Sequence, residues 1–394
     1  MEKLEFPQVG EQMYHEKLEN GLNVFVFPKP DHQKGYAFFA TNYGGMDMRF
    51  CLDGTWHDTP AGVAHFLEHK MFDTKEGNAL QELAANGASP NAFTSNAMTA
   101  YYFESTEKFE ENLKILLSFV SVPWFTQESV DKEQGIIGQE IRMYEDDPGW
   151  EVYLGLVQSL YHHHPVRENV AGSVESISHI TAETLYACHK AFYDPANMVL
   201  CVAGPVEAVC AAARAILPKT PGPIAEKDYG GPEPEGAVRP RTEKKMAVST
   251  PLFQLGWKGD APRRGEAGLR QELVGELAME ALLGTSSPLY ARMYREAVSR
   301  AVAEEAGRIA REGIDPALWA RIKKGIYGGK VRSLNSFENL CVGQAGAFFE
   351  GTDYLRFAPL LSSVEREEAE ALLARWVIPA RAALSVVSPK EAQA

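Results

Sequence analysis

The sequence has few of the features that characterise membrane, disulfide-rich or nucleic-acid-binding proteins. Its five cysteines among 394 residues are an odd number without paired spacing, which argues against a disulfide scaffold and against a cysteine-based zinc cluster. No apolar run approaches the roughly 18 residues that a membrane-spanning helix needs. Lys and Arg number 39 against 53 Asp and Glu, and the formal net charge of −14 disfavours a nucleic-acid partner and a phosphate-binding surface.

The chain does contain enough apolar material for more than one hydrophobic core. Its length exceeds what one core usually supports, and 45% of its residues are apolar. The first 21 residues are charged and lack the apolar segment of a signal peptide. These features predict a cytoplasmic protein with two globular lobes.

The most informative motif is the pentapeptide His-Phe-Leu-Glu-His, which begins at His65. On a helix, residues three and four apart share a face, so His65, Glu68 and His69 would point at one place. Two neutral imidazoles at this spacing can bind one Zn²⁺, and Glu68 would stand where a general base for the attacking water belongs. Thr59 as N-cap and Pro60 as first helical residue predict where this helix begins. An exposed helix with two incidental histidines fits poorly, because the flanking residues are mostly apolar.

A second helical segment offers the third protein ligand that a catalytic zinc site usually requires. Residues 126–144 begin with a Thr that can cap a helix, and apolar residues recur along them. Glu133 and Glu140 lie seven residues apart, close to two helical turns, so both carboxylates project from the same side. One could bind the metal while the other holds it in place. The alternative is a pair of solvated carboxylates on an outer face, but beside a histidine pair that lacks a third ligand the metal-binding interpretation is favoured.

The segment 92–104 predicts a hairpin or the edge of a sheet, because it is rich in strand-forming residues such as Phe93, Thr94 and Tyr101. An exposed edge can bind a peptide backbone as an added strand. An ordinary core strand is equally compatible with this composition, since strand propensity does not distinguish an edge from a centre.

Together these motifs resemble the inverted-motif zinc peptidases, the pitrilysin and mitochondrial-processing-peptidase family, and within it the bacterial two-lobed processing-protease-like branch. The similarity extends to the segments 89–103 and 192–198 and to the residues His164, Pro165 and Gly172. It covers most of the first half of the chain.

The resemblance implies a role for each candidate residue. It implies that His65, His69 and Glu140 bind one Zn²⁺ per chain, that Glu68 is the catalytic base, and that Glu133 is a second carboxylate that supports the ligands. The chain would then use zinc to polarise the attacking water and the scissile carbonyl of a peptide bond.

The resemblance also implies how substrate binds. Asn91, Ala92, Phe93 and Thr94 would accept the peptide as an added strand, and Arg295 would contact it. We therefore expect a zinc-dependent endopeptidase that hydrolyses unfolded peptides or peptide segments inside a closed chamber. The resemblance implies that two chains together enclose such a chamber, so we expect a homodimer or a heterodimer with a related, catalytically silent subunit.

An internal repeat predicts the organisation of the chain. Residues 180–205 align without a gap on residues 364–389, at an offset of 364 − 180 = 184, and each copy predicts a helix, a Pro-containing loop and a buried strand. The expected fold is α+β with two homologous lobes, each a mostly antiparallel sheet with helices packed on one face. We expect a catalytic zinc-binding lobe at 1–217, an exposed Pro- and Gly-rich linker at 218–244, and a shortened non-catalytic second lobe at 245–394.

The second lobe is expected to be abbreviated. It has no His-x-x-Glu-His, so it cannot house the same zinc site. The resemblance implies a strand with a substrate-contacting tyrosine seven residues after Arg295, yet Val302 stands at that position and the segment 296–311 predicts a helix.

Two other functions remain open. A non-catalytic assembly subunit of the same fold is compatible with the shortened second lobe, although nothing but catalysis obviously needs Glu68. A metal-binding or peptide-binding module without turnover could use His162, His163 and His164. That triplet reads more simply as a loop, because consecutive residues point in different directions.

Overall fold

A computed structural model describes residues 1–204, 208–293 and 298–390, and these residues form two compact units. Unit 1 comprises the described residues within 1–145, 164–231 and 336–346. Unit 2 comprises the described residues within 146–163, 232–335 and 347–394. Compactness therefore divides the chain differently from the continuous lobes 1–217 and 245–394 expected from the sequence, and those domain boundaries stay a prediction.

The secondary structure alternates between strands and helices in the first half of the chain and is mainly helical in the second. In chain order the strands are β1 (Glu2–Phe6), β2 (Glu11–Lys17), β3 (Asn23–Pro28), β4 (Gly35–Thr41), β5 (Arg49–Leu52), β6 (Thr55–Asp58), β7 (Ser89–Thr94), β8 (Thr99–Ser105), β9 (Met198–Gly204), β10 (Glu226–Lys227), β11 (Arg241–Met246), β12 (Leu252–Trp257) and β13 (Ala382–Pro389). The helices are α1 (Val63–Met71), α2 (Ala79–Ala85), α3 (Phe109–Ser121), α4 (Gln127–Glu145), α5 (Pro148–Leu160), α6 (Val174–Ile177), α7 (Ala182–Phe192), α8 (Val209–Ile216), α9 (Gly265–Leu283), α10 (Pro288–Met293), α11 (Val298–Glu312), α12 (Pro316–Ser333), α13 (Phe337–Phe349), α14 (Phe357–Ser363) and α15 (Arg366–Trp376).

Unit 1 is built on a seven-stranded sheet in the order β1-β2-β3-β9-β4-β8-β7. Neighbouring strands are antiparallel except for β3 and β9, which are parallel. The expected α+β fold with a mostly antiparallel sheet is thus confirmed for this unit. A smaller antiparallel sheet, β10-β5-β6, accompanies it.

The two central strands β4 and β9 are buried along their whole length, which requires cover on both faces of the sheet. Helices α1 and α3 contact β8 on one face. In addition, the beginning of α13 reaches the start of β4, where the Phe337 ring lies 5.1 Å from His32 and 6.0 Å from Lys34 Nζ. Cys341 of α13 and Cys201 of β9 are both fully buried. A helix from much later in the chain therefore completes the core of unit 1.

The five cysteines are free thiols, of which four are buried and Cys51 is half-buried. This agrees with the sequence expectation that they form no disulfide scaffold. None of the helices in the described ranges combines the length and the apolar character needed to cross a bilayer.

Helix α1 begins later than the sequence predicted. The expected N-cap, Thr59, instead bonds the carbonyl of Met48 through both its amide and its hydroxyl. The helix begins after Gly62, whose φ of 95° lies in the left-handed region that favours glycine. A Cβ on Gly62 would lie 2.6 Å from the carbonyl oxygen of Ala171, so the chain passes too closely here for any side chain.

Two neighbours hold α1 in place. Its Phe66, Leu67 and Met71 side chains are at most 1% exposed and belong to the main hydrophobic core. The helix contacts both the strand β7 and the helix α4. The side chains of α1 that point away from the core are therefore directed towards α4.

Unit 2 has a sheet of three strands in the order β11-β13-β12, against seven in the larger sheet of unit 1. β13 is parallel to β11 and antiparallel to β12. Helix α5 packs on all three strands, although it lies within the predicted first lobe. This sheet has fewer strands than the larger sheet of unit 1, and the shortened second lobe at 245–394 stays a prediction.

The internal repeat is confirmed element by element. Helix α7 and helix α15 are related by 366 − 182 = 184 residues at their starts and 376 − 192 = 184 at their ends. One-turn 3-10 helices follow at Pro195–Asn197 and Pro379–Arg381, and then the strands β9 and β13.

The stretch 218–244 is not uniformly exposed, contrary to the sequence expectation. Within it, β10 pairs with β5, and Lys227 Nζ lies 2.9 Å from Asp47 Oδ2. Tyr229 donates its hydroxyl to Asp47 Oδ1 at 2.7 Å. Asp47 is 1% exposed, and a buried carboxylate needs such partners. Pro and Gly content could not reveal this fixed attachment to unit 1.

The buried imidazole of His189 predicts how stability responds to acid. His189 on α7 is 9% exposed, its ring lies 3.0 Å from the carbonyl oxygen of Val120 at Nε2, and burial lowers its pKa to about 4. The folded protein resists protonation there, whereas the unfolded chain takes up the proton near pH 6.5. The contribution of the neutral His189 side chain to the free energy of unfolding is therefore present at pH 7 and is lost as the pH falls towards 4. Between pH 7 and pH 5 the loss should be about 2 kcal/mol.

We expect His189→Gln to lose less of its unfolding free energy between pH 7 and pH 5 than wild type does. Urea unfolding followed by circular dichroism at the two pH values measures this difference. The matched control is His179→Gln, since His179 is exposed. An identical loss in wild type and His189→Gln would contradict the prediction.

Candidate metal centre

Helix α1 presents two imidazoles and a carboxylate on one side, as the spacing predicted. The rings of His65 and His69 have centroids 4.6 Å apart. Glu68 is 7% exposed, although Glu is a residue type that is seldom buried. A buried carboxylate next to two histidines is therefore positioned by the fold.

Helix α4 supplies the facing carboxylates. Thr126 caps it as predicted, with Thr126 Oγ1 accepting the amide of Ser129. Val130, Ile137 and Ile141 are buried, whereas two other apolar residues of the helix are exposed: Ile136 at 49% and Met143 at 61%. The buried stripe orients the helix so that its glutamates at positions 133 and 140 face α1.

The two glutamates contact different histidine nitrogens. Glu140 lies opposite both Nε2 atoms, with Oε1 at 3.7 Å from His65 and Oε2 at 3.6 Å from His69. Glu133 Oε1 lies 3.2 Å from Nδ1 of His69, on the outer side of that ring. Among the described residues, His65, His69 and Glu140 form the one group of three ligand-type residues whose donor atoms all lie within 4.8 Å of one another.

This donor set fits Zn²⁺. Zinc bonds to His nitrogen and carboxylate oxygen at about 2.0–2.2 Å, so two ligands of a tetrahedral ion are about 3.3–3.5 Å apart. The distances of 3.6 and 3.7 Å from Glu140 to the two Nε2 atoms are close to that separation. Two histidines and one glutamate are also a donor set found in catalytic zinc sites, which keep a further position for water or substrate.

Glu68 is held by the neighbouring strand. Thr94 of β7 donates its hydroxyl to Glu68 Oε2 at 2.7 Å. Burial raises the pKa of the Glu68 carboxyl above its usual range, and this effect outweighs the opposing hydrogen bond from Thr94. A carboxyl with a raised pKa, fixed in rotation, is a stronger base than an ordinary glutamate and is suited to accept and return a proton.

The two imidazoles have opposite pKa shifts because their surroundings differ. Burial, with a smaller contribution from His69, lowers the pKa of His65 to about 4. Burial also lowers the pKa of His69, but the hydrogen bond that His69 donates to Glu133 and the charges of Glu68 and Glu140 outweigh burial and raise that pKa. A metal ligand must be unprotonated, so zinc would compete with the proton whose binding to His69 this shift favours.

Sequence reasoning missed two residues that support the site. Tyr144 donates its hydroxyl to Glu140 Oε1 at 2.7 Å, and its position four residues after Glu140 is a signal that could have found it. Lys70, next to His69, is 1% exposed and contacts Glu133. No local spacing could have revealed that contact, because Glu133 lies on another helix.

The predicted substrate-binding residues are only partly brought to the site. Strand β7 is an edge strand of the larger sheet, and it forms a hairpin with β8 as predicted. Thr94 reaches Glu68, whereas the Phe93 ring lies on the other face, 6.0 Å from Phe38. Asn91 shares that other face because side chains alternate along a strand. Arg295 lies outside the described residues.

The histidine triplet belongs to the loop that the sequence favoured. The backbone amides of His162 and His163 both donate to the carboxylate of Glu233. His164 caps a one-turn 3-10 helix through its side chain.

Comparison with known proteins connects this geometry with a peptidase family. Residues 53–173 match the family profile described as insulinase (peptidase family M16), and residues 179–297 match that of the peptidase M16 inactive domain. A Bacillus subtilis protein described as the uncharacterized zinc protease YmfH is 44% identical over 301 residues, which are 74% of this chain and 70% of that protein. The B. subtilis zinc protease YmxG is 30% identical over 38% of this chain and 39% of its own length.

Solved structures agree with these matches. A putative M16-like peptidase from Alicyclobacillus acidocaldarius superposes with a TM-score of 0.91 at 32% identity, covering 98% of this chain and 100% of its own. A protease from Helicobacter pylori has a TM-score of 0.80 at 16% identity over 96% of this chain and 100% of its own, a similarity that concerns the fold alone.

The contact geometry predicts a graded loss of metal. We expect Glu140→Gln to lose zinc, because an amide replaces the carboxylate opposite both Nε2 atoms, and Glu133→Gln to retain zinc with affinity weakened about 10- to 100-fold. Zinc content after dialysis measures the loss of metal, and chelator competition measures the change in zinc affinity. Glu145→Gln, on an exposed position of the same helix, is the control. Full zinc retention by Glu140→Gln would rule out this ligand assignment.

Proposed function

The chain belongs to the M16 family of zinc peptidases, and from this we propose that it is an endopeptidase that hydrolyses unfolded peptides or peptide segments inside a closed chamber. The observation that carries the proposal is the convergence of three donors, from His65, His69 and Glu140, beside the buried carboxylate of Glu68. We assign the ligand role to the first three residues and the role of general base to Glu68.

A bound zinc ion would supply a Lewis acid at this donor set, polarising the scissile carbonyl and making water more acidic. Glu68 takes the proton from the attacking water as the new C–O bond forms. It then gives that proton to the leaving amine as the C–N bond breaks, which returns the carboxylate to its starting state.

Thr94 makes this role of Glu68 possible. Its hydroxyl donates to Oε2 and fixes the rotation of the carboxylate, so the other oxygen, Oε1, is the one that takes the proton. The raised pKa of Glu68 favours its protonated form during the reaction.

Two further side chains keep the ligands oriented. Glu133 bonds the outer nitrogen of His69, which leaves Nε2 for the metal. Tyr144 donates to Oε1 of Glu140 and thereby restricts its rotation. Both act on the ligands and not on substrate.

The edge strand β7 is the proposed substrate-binding surface. Backbone groups of Asn91–Thr94 would pair with an extended peptide, which gives affinity with little sequence preference. The Thr94–Glu68 hydrogen bond supports this proposal, because it links the edge strand directly to the catalytic carboxylate. A peptide paired with β7 would pass beside Glu68.

The alternative function, a non-catalytic assembly subunit of the same fold, is favoured by the three-stranded sheet of unit 2. The intact donor set and the buried Glu68 favour catalysis more strongly, since a subunit without turnover would not need a buried general base.

A cytoplasmic location remains a prediction. The proposed chamber requires two chains, either as a homodimer or with a related inactive subunit. Light scattering of the purified protein, alone and with a related subunit, measures the assembly. A monomer under both conditions would contradict the chamber.

We expect Glu68→Gln to retain zinc while peptide hydrolysis falls about 100- to 10,000-fold, the usual contribution of a general base. Glutamine keeps the size of the side chain and can still accept the Thr94 hydrogen bond, but it cannot take up the proton. Zinc content and kcat on an unfolded peptide are measured together. Glu76→Gln, at an exposed loop position, is the control. Loss of metal in Glu68→Gln would show that Glu68 is a ligand instead.

Backbone pairing with β7 predicts sensitivity to N-methylation of the substrate. In a series of peptides that each carry one N-methylated amide near the cleaved bond, alternate positions should lose at least about tenfold in kcat/KM, since every second amide of an added strand points at its neighbour. Side-chain alanine substitutions at the same positions should have smaller effects. Equal tolerance of N-methylation at all positions would exclude strand addition.

A further inference from the structure

Lys70 is a buried cation directly next to a proposed metal ligand. It is the second-last residue of α1 and follows His69, and it is 1% exposed. Lysine is seldom buried, because an ammonium group loses its hydration in the protein interior. A buried lysine must therefore be paired with carboxylates, and its pairing partners show what it orients.

The ammonium group of Lys70 lies between two carboxylates. Its Nζ bonds Oδ2 of Asp73, one turn further along the chain, and lies 3.9 Å from Oε2 of Glu133 on α4. The other oxygen of Glu133, Oε1, lies 3.2 Å from Nδ1 of His69. The carboxylate of Glu133 thus bridges an ammonium group and an imidazole, each through a different oxygen.

Glu133 needs this second contact to hold its orientation. A glutamate side chain has three rotatable bonds, and one hydrogen bond to His69 does not fix the plane of the carboxylate. A cation at the second oxygen restricts that rotation. The side chain of Glu133 is 16% exposed, so little solvent is available to replace Lys70.

The two proposed histidine ligands are held differently. Within the described part of the chain, the buried Nδ1 of His65 has no hydrogen-bond partner. The outer nitrogen of His69, by contrast, is held by Glu133. The orientation of His69 therefore depends on Glu133, and through it on Lys70.

A purely structural role for Lys70, as the partner of Asp73 alone, explains less. The side chain of Asp73 is 38% exposed and could be hydrated, whereas that of Lys70 is 2% exposed. A surface carboxylate does not require a buried lysine. The contact with Glu133 joins α1 to α4, the two helices that supply the proposed ligands.

We propose that Lys70 is a positioning residue of the zinc site, whose ammonium group holds Glu133 in the orientation that directs His69 Nε2 towards the metal. The inference rests on the zinc site of the proposed function, but it can fail while that function stands. It assigns to Lys70 no contact with substrate or with the ion.

The test is a double-mutant cycle on metal affinity, measured without peptide. Lys70→Met removes the charge and keeps most of the buried length, Glu133→Gln removes the bridging carboxylate, and the double variant combines them. The Kd for Zn²⁺ is measured by chelator competition, and the visible spectrum of the Co²⁺-substituted protein reports the ligand geometry.

We expect Lys70→Met to weaken zinc binding about 10- to 100-fold and to change the Co²⁺ spectrum as Glu133→Gln does. Because Lys70 acts through Glu133, the double variant should bind zinc no more weakly than Glu133→Gln alone. Unchanged zinc affinity in Lys70→Met would overturn the inference. Losses that multiply in the double variant would overturn it as well, because they would show an effect of Lys70 that bypasses Glu133.

A third variant covers the case in which Lys70→Met does not fold, as judged by circular dichroism of the zinc-free protein. Lys70→Arg retains the charge and should keep the wild-type Co²⁺ spectrum and zinc affinity. A folded Lys70→Arg protein that binds zinc tenfold more weakly, with an altered spectrum, would count against the inference. Failure of the wild type to bind zinc would instead refute the proposed function itself.

Discussion

The packing of helix α1 against helix α4 is the constraint on which the proposed site depends. α1 contributes two imidazoles one turn apart, and the third donor has to come from a different element that faces them. Buried apolar residues set that approach, Phe66 and Leu67 on one helix and Ile137 on the other. Hydrophobic packing therefore fixes a separation of a few ångströms between groups that would otherwise be free to hydrate. The packing of the hydrophobic core therefore determines the distance between the donor atoms of α1 and α4.

The same packing brings several ionisable side chains close together. Three carboxylates and two imidazoles share a partly buried space. Their burial and proximity shift the pKa values of three of these groups. The pKa of His65 is lowered, while the pKa values of His69 and Glu68 are raised. A divalent cation at the donor set would relieve the repulsion between the carboxylates. Burial thus shifts the pKa values of the site and also favours the binding of a metal ion there.

The duplicated segment explains why each unit has a sheet built around an equivalent central strand. The repeated strand is central in each sheet, with β9 between β3 and β4, and β13 between β11 and β12. The candidate ligands lie on α1 and α4, outside the repeat. The repeat therefore accounts for the shared centre of the larger sheet of unit 1 and the sheet of unit 2, and it carries none of the candidate ligands.

The sequence by itself determined which side chains share a helical face, because periodicity along a helix is a local property. His65, Glu68 and His69 could be placed together in this way, as could Glu133 and Glu140. The repeat of α7 and β9 was visible because one segment of the sequence aligns on another without a gap. The start of α1 was predicted wrongly, since it depends on the close approach of Gly62 to Ala171. Residue spacing alone left open which glutamate faces the histidines, although the resemblance implied Glu140. The tertiary structure decided the contacts: Glu140 lies opposite both Nε2 atoms, while Glu133 lies against Nδ1 of His69. The distance between two helical faces is set by every residue packed beneath them, and no local pattern records it.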